Sequence, residues 1–550
     1  MYTIGVDFGT LSGRALLVDA ATGEEIAASV LEYPHGVIDD KLPASGADLP
    51  PEWALQDPQD YLDVFLTTIP AVLKQSGVNP DLIVGIGVDF TASSPMPVKS
   101  DGTPLSFLPE FKDNPHAYVK LWKHHASQPQ ADKINRVARE RGEWWLKRYG
   151  GKYSSEWFFS KLLQILEESP DSYDAIDVFI EAADWAIWQL TGELTRSTCT
   201  TGYKMLVQDG GYPSPEYFGA LDPRFKNVIA EKVTGNFAPL GGRAGGLTPE
   251  MAAKLGLKPG IAVAAAVIDA HVTAPAVKAT APGVMLMIMG TSTCHIISST
   301  TLQDVDGMCG VVDGGIVDGL FGYEAGQSAV GDIFAWFIEN AVPREYYDAA
   351  QAAGLNIHAY LEQQAAEQRV GEHGLLALDW WNGNRSTLVD TELSGLLIGA
   401  TLATRAPDIY RALIEATAFG TREIIEAFES RGVHVETLVA AGGLPEKNAL
   451  LRQIYADVTG RDLKLGGSSQ APALGAAIYA AAAAGLYPNV TAAAEKMGKL
   501  KPEIVSPIPE NQKVYDALYA EYRALYDYFG RGSNNVMKRL KKIRNVVLEG

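Results

Sequence analysis

The sequence predicts an α/β protein of two domains that open alike, and three observations carry that expectation. Ile4, Val6 and Phe8 alternate with Gly5, Asp7 and Gly9, the period of a strand, and residues 14–19 read as its hairpin partner across the turn at 9–13. Residues 284–289 lead into Gly290-Thr291-Ser292-Thr293 and a second strand-like run at 294–298, a weak internal repeat of the opening. From residue 437, strand, helix, strand and an alanine-rich helix alternate, the order of an α/β layer structure.

The remaining elements follow in chain order. A helix should begin at Asp57-Pro58, with Asp57 as N-cap, Pro58 at its first position and Tyr61, Val64, Phe65 and Ile69 on its apolar face. Pro70 is expected to kink or interrupt it. Strands are expected at 83–90, 178–180 and 261–267. The small, turn-prone run 277–283 marks the domain boundary, giving 1–278 and 279–550. A helix over 407–430 should stop at Gly432. A strand at 437–441 runs into Gly442-Gly443, and then come a helix at 448–458 and a strand at 463–465. The apolar run 471–487 holds Pro472 and Gly475 and reads as a buried helix rather than a membrane span.

Composition narrows the function classes. A formal charge of −20 and a pI near 4.9 set the surface against nucleic-acid phosphates and anionic membranes. The chain is 47% hydrophobic and 20% charged, as globular proteins are. Its three cysteines, Cys199, Cys294 and Cys309, have no metal-ligand spacing and favour a reducing, cytoplasmic compartment. The first 19 residues lack the basic and apolar regions of a signal peptide.

Three short runs carry candidate chemistry. In Asp7-Phe-Gly-Thr-Leu-Ser-Gly-Arg14, Gly9 lets backbone approach an anion and tolerates positive φ. Thr10 and Ser12 offer hydroxyls and amides, and Asp7 can hold a magnesium-bound water beside phosphates. Gly290, Thr291 and Ser292 form a matching turn. Gly442 and Gly443 allow a flat ligand such as adenine to pack closely, with Asn448 in reach. Read singly, each run is equally well a polar hairpin, a Ser/Thr-rich turn or a plain strand–helix turn.

Their order and spacing resemble the actin/Hsp70/sugar-kinase ATPase superfamily, whose two ribonuclease H-like domains hold ATP in the cleft between them. Within it the chain resembles the FGGY carbohydrate kinases over nearly its whole length. Asp184-Trp-Ala-Ile-Trp-Gln-Leu-Thr-Gly192 is similar to one family segment, and Ala473-Leu-Gly-Ala-Ala477 to another. Lys161-Leu162 stands at a K-(apolar)-x-W run, with Gln164 in place of the tryptophan. The resemblance implies that Asp269, in Ala264-Ala-Ala-Val-Ile-Asp-Ala-His271, ends a buried strand and is the catalytic base. Without it, Asp269 reads as a capping or salt-bridged aspartate, and His271 as structural.

Gly87-Val-Asp-Phe-Thr-Ala-Ser-Ser-Pro95, Leu121-Trp-Lys-His-His-Ala126, Asp379-Trp-Trp-Asn-Gly-Asn-Arg385 and Gln470-Ala-Pro-Ala-Leu-Gly475 resemble the branch of that family acting on ribulose. By that resemblance Ala92, Lys204, Asp269 and Glu324 line a ketopentose pocket. Gly9, Thr10, Ser12, Arg14, Gly290, Thr291, Ser292, Gly442, Gly443 and Asn448 hold ATP, and Asp7 and Asp269 serve Mg2+. The implied reaction is phosphorylation of L-ribulose, as in L-arabinose breakdown. D-ribulose, ribitol or another polyol is the neighbouring alternative, and a non-catalytic actin-like nucleotide switch a distant one. A homodimer is left open. His124-His125 point about 100° apart on a helix and make a poor metal pair. Trp144-Trp145 and Trp380-Trp381 read as packing residues, and 538–544 as a solvated helix face.

Overall fold

A computed structural model describes residues 1–549, which form two compact units. The first unit comprises Met1–Ala281, Val311–Gly322 and Ser468–Lys499; the second comprises Pro282–Gly310, Tyr323–Gly467 and Leu500–Gly550. The chain therefore returns twice to its first unit. None of the described helices is long and apolar enough to cross a membrane.

The first unit is built on a seven-stranded mixed sheet. Its order runs Arg243–Gly246, Ala262–Ala264, Ile83–Phe90, Tyr2–Phe8, Ser12–Asp19, Glu25–Glu32, and Val267–Ile268 also pairs with Ile83–Phe90. Tyr2–Phe8 pairs antiparallel with Ser12–Asp19 and parallel with Ile83–Phe90. The parallel pair sets one Gly-Val-Asp-Phe run beside another: Gly5 faces Gly87, Val6 faces Val88, Asp7 faces Asp89, Phe8 faces Phe90. The two phenylalanine rings stack with centroids 4.4 Å apart.

The glycines of these strands have a packing reason. A Cβ on Gly5 would lie 1.8 Å from the Ala473 carbonyl oxygen, one on Gly87 2.0 Å from that of Ala476, and one on Gly85 2.7 Å from that of Ala480. The alanine-rich helix Ala471–Ala483 thus lies on the sheet backbone-close, through positions spaced three and four apart. Ile4, Val6, Phe8, Ile86, Val88 and Phe90 fill a core on the other face with Tyr61, Val64 and Phe65. The large/glycine alternation therefore separates a thick face from a thin one. Both are dry.

Helix Pro58–Ser76 is capped by Asp57, whose side chain accepts from the Gln59 amide at 2.9 Å. Pro70 does not end it. The carbonyl that Pro70 leaves unpaired belongs to Leu66, on an exposed turn where water can serve it. The expected strand at 261–267 is two short strands, and Asp269 opens the helix Asp269–Ala276 instead of ending a strand. A carboxylate is favoured in the first turn by the free amides there.

In the second unit, strands run in the order Phe321–Gln327, Thr293–Ser299, Val284–Met289, Thr437–Ala441, Leu463–Gly466, Leu500–Val505. Helices Ala406–Ser430, Ala449–Thr459 and Pro509–Gly530 cover it. Tyr515, Tyr519, Tyr522 and Tyr526, spaced three or four apart, are all buried, and Tyr515, Tyr519 and Tyr522 meet Phe419.

Candidate functional site

In the first unit, parallel strands bring three carboxylates to the C-terminal end of the central strands. Asp7 and Asp89 sit opposite each other in register, and Asp269 follows Ile268, which faces Phe90. Asp7 is buried, and burial raises its pKa while Arg14 works against that rise. Arg14 Nε lies 3.2 Å from Asp7 Oδ2 as an ion pair without the angle of a hydrogen bond, and Arg14 Nη1 donates to Gln470 Oε1 at 3.2 Å. Asp89 is fully buried, and neither of its oxygens accepts a hydrogen bond. Burial first, then the Asp7 charge, pushes its pKa far above the usual range. Burial and the facing Asp7 carboxylate thus both favour the protonated form of Asp89. Asp269 Oδ1 accepts from the Ala270 amide at 2.7 Å.

The loop after Phe8 is held from outside. The Gly9 amide donates to Ser12 O at 2.9 Å, the Tyr33 hydroxyl to Gly9 O at 3.0 Å, and Gln56 Nε2 to Thr10 O at 2.7 Å. Trp122 Nε1 donates to Thr10 Oγ1 at 3.1 Å. Gly9 does not use the positive φ it tolerates, for it lies outside the left-handed region. What its missing side chain provides is proximity, since a Cβ would stand 3.2 Å from Ser12 O.

Ala92 sits in a loop anchored by two buried charged side chains, Glu181 and Lys161. Ser93 Oγ and the Ser94 amide both donate to Glu181, the latter at 2.8 Å, and Lys161 Nζ donates to Ser93 O at 2.7 Å. Burial lowers Lys161 to about 7 against the pull of Glu181. Lys204 ends the helix Thr198–Lys204, with Nζ 5.2 Å over the Trp157 ring. Asp184 fixes that helix by accepting from Ser197 N at 3.0 Å and Thr200 Oγ1 at 2.9 Å, and burial raises Asp184 to about 7. His271 is buried, stacked on Tyr203 at 4.2 Å and 3.4 Å from Cys199 Sγ.

In the second unit, the Gly290 amide donates to Ser292 O at 2.9 Å. The helix Gly331–Ala341 begins on this loop: Gly331 N donates to Gly290 O at 3.0 Å, and Val330 N and Asp332 N donate to Thr291 O at 2.8 and 3.2 Å. Gly442, at φ 102°, would place a Cβ 2.4 Å from Met289 O, whereas a Cβ on Gly443 would meet nothing. Asn448, expected at adenine, is buried as the N-cap of Ala449–Thr459 and accepts from Leu451 N at 2.7 Å. Glu324 is buried and accepts from Arg385 Nη2 at 3.0 Å.

Asp89 and Arg385 were not singled out from the sequence, although the repeated Gly-Val-Asp-Phe run signalled the first. Among the described residues, no three His, Cys, Asp or Glu side chains stand as a metal cage. A groove of about 600 Å³ is lined by Leu62, Trp188, Met251 and Lys254 and by none of the expected site residues.

Comparison with known proteins gives this arrangement its class. The N-terminal domain of the FGGY family of carbohydrate kinases matches residues 2–275, and its C-terminal domain matches residues 285–484. The chain belongs to the FGGY family of carbohydrate kinases, and is a two-domain α/β sugar kinase. It is 56% identical to a ribulokinase of Halalkalibacterium halodurans over 550 residues, covering 99% of this chain and 98% of that one. It is 57% identical to a ribulokinase of Anoxybacillus flavithermus, covering 98% and 96%. Among solved structures, xylulose kinase from Rhodospirillum rubrum shares the fold with a TM-score of 0.77 at 22% identity, covering 96% and 98%. Membership of a kinase family implies use of ATP.

Proposed function

We propose that the protein transfers the γ-phosphoryl group of ATP to the terminal hydroxyl of L-ribulose, giving ADP and L-ribulose 5-phosphate. The observation that carries this reading is the row Asp7, Asp89, Asp269 at the end of parallel strands, in a chain 56–57% identical to ribulokinases across its length. Asp269 is the base, taking the proton of the attacking hydroxyl. Ala92, Lys204 and Glu324 bind the sugar, whose hydroxyls each donate and accept. Gly9, Thr10, Ser12, Arg14, Gly290, Thr291 and Ser292 bind phosphates. Gly442, Gly443 and Asn448 bind adenosine, where the open space over Gly443 leaves room for a flat ring. We take 1–278 and 279–550 as the functional halves.

The acidic row suits magnesium, a hard cation that takes one or two carboxylates and otherwise keeps water and phosphate oxygens. Asp7, with Asp269, would hold it, and it would neutralise charge on the phosphates. Asp89 faces Asp7 across the parallel strand pair. Little covalent chemistry falls to the protein, so alignment and exclusion of water supply the rate. The presence of only three cysteines in the whole sequence agrees with a cytoplasmic setting.

ADP release measured with a panel of ketopentoses and polyols tests the reading. L-ribulose should give the highest kcat/KM. Preference for D-ribulose or ribitol would replace the substrate, and no stimulation by any sugar would end the kinase reading for this chain.

A further inference from the structure

Lys161 and Gln164 mark where this chain keeps, and departs from, the K-(apolar)-x-W run, and the reaction above gives neither a task. They lie three residues apart on helix Phe158–Glu168, so they share a face. Lys161 is fully buried and its ammonium donates to three carbonyl oxygens: Ser93 at 2.7 Å, Leu121 at 2.8 Å and Lys120 at 3.2 Å. Gln164 Oε1 stands 2.9 Å from His124 Nε2, while His124 Nδ1 accepts from the Ala54 amide at 3.3 Å. That assignment puts the imidazole proton on Nε2, donating to Gln164. One helix face thereby grips the segment 120–124 at both ends.

Between those grips stands Trp122, half-exposed, which donates to Thr10 Oγ1. On its other side the same ammonium holds Ser93, the neighbour of Ala92, while Glu181 takes Ser93 Oγ and the Ser94 amide. A buried ammonium is tolerated only when its protons are all bonded and its charge is countered. Lys161 meets both conditions by joining two loops that no strand connects.

We propose that Lys161 is a positioning residue that fixes the Ala92 loop and the Trp122–Thr10 contact together, so that sugar and phosphate sites are set by one buried charge. This rests on the roles given above to Ala92 and Thr10. Gln164 supplies the acceptor that His124 Nε2 faces.

The test compares wild type, Lys161→Met and the double variant Lys161→Met/Glu181→Gln. Lys161→Met leaves Glu181 buried without its cation and lowers thermal stability; the double variant removes both charges and recovers most of it. The expected result is that KM for both L-ribulose and ATP rises about 5- to 20-fold in both variants, because misplacement rather than instability is the cause. Amide hydrogen exchange at 91–94 and 120–124, read without substrates, should quicken in both. Wild-type KM values in the double variant would overturn the proposal, leaving Lys161 as a mere counter-charge, and so would unchanged exchange at either segment. A wild type that no sugar stimulates, with exchange quickened as expected, would instead overturn the functional reading and keep the clamp.

Discussion

The two glycine–threonine hairpins are alike in backbone and unlike in what surrounds them. The first turns through Gly9–Ser12 between Phe8 and Gly13, the second through Gly290–Ser292 between Met289 and Thr293, one residue shorter. Leu11 is the additional residue, and it is 59% exposed. Side chains from Tyr33, Gln56 and Trp122 hold the first loop, whereas the second is held by the backbone amides that start helix Gly331–Ala341. Two residues before the glycine stands Asp7 in one hairpin and Ile288 in the other. A repeated frame is thus held by backbone hydrogen bonds alone on one side. On the other it has acquired the acid and its tuning groups.

The largest expected effect comes from that acid. Asp7→Asn should lower kcat about 10²- to 10³-fold in steady-state assays, as loss of a group acting on transition-state charge does. Ile288→Val, at the matching position, should stay within about twofold, being the loss of one methylene from a partly buried side chain. If both substitutions cost alike, the hairpins share the acid's task some other way.

Next come the glycines. Gly442→Ala forces a left-handed φ onto alanine and a Cβ to 2.4 Å from Met289 O, so it should cost roughly 1–3 kcal/mol of stability and raise KM for ATP. Gly9→Ala meets Ser12 O at 3.2 Å from an ordinary φ and should cost less than about 1 kcal/mol. Melting temperatures and ATP titrations read both. Equal losses would show that the second loop is no more rigidly framed than the first.

Much of this was legible in the sequence, for a stated reason. Strands Ile83–Phe90, Val284–Met289 and Thr437–Ala441 lie where apolar runs and glycine breaks put them, because buried strands need continuous apolar side chains. The Asp57 cap was legible too, since its side chain acts locally. Three things were not. Glycine within strands reads as weakness until a helix from residues 471–483 is found against it. Pro70 reads as a break until Leu66 is seen facing solvent. Asp89 becomes significant only when parallel pairing sets it beside Asp7.

Smaller effects sharpen the comparison further. Trp122→Phe keeps the ring and loses the donor to Thr10, so KM for ATP should rise about 2- to 5-fold with kcat nearly unchanged, the size of one hydrogen bond. Thr10→Val should do the same, and the two losses should not add. Additive losses would mean that Trp122 acts elsewhere.

The smallest effect concerns pH. Asp184 has its pKa raised to about 7 in the folded protein against 3.8 for the ordinary carboxyl. The stability it contributes is full below pH 3.8 and lost as pH climbs toward 7, because the folded state holds the proton more tightly. Asp184→Asn should flatten the fall in melting temperature between pH 4 and pH 7 by about 2–4 °C. An unchanged slope would remove Asp184 as its source.

The central claim is tested most directly by following the γ-phosphoryl label of ATP in wild type and Asp269→Asn. Wild type should place the label on L-ribulose. Asp269→Asn should lose about 10²- to 10⁴-fold of that transfer, the range for general-base removal, while binding ATP with a Kd within about threefold. Label transfer by Asp269→Asn at the wild-type rate, or label found only in inorganic phosphate with wild type, would contradict the account.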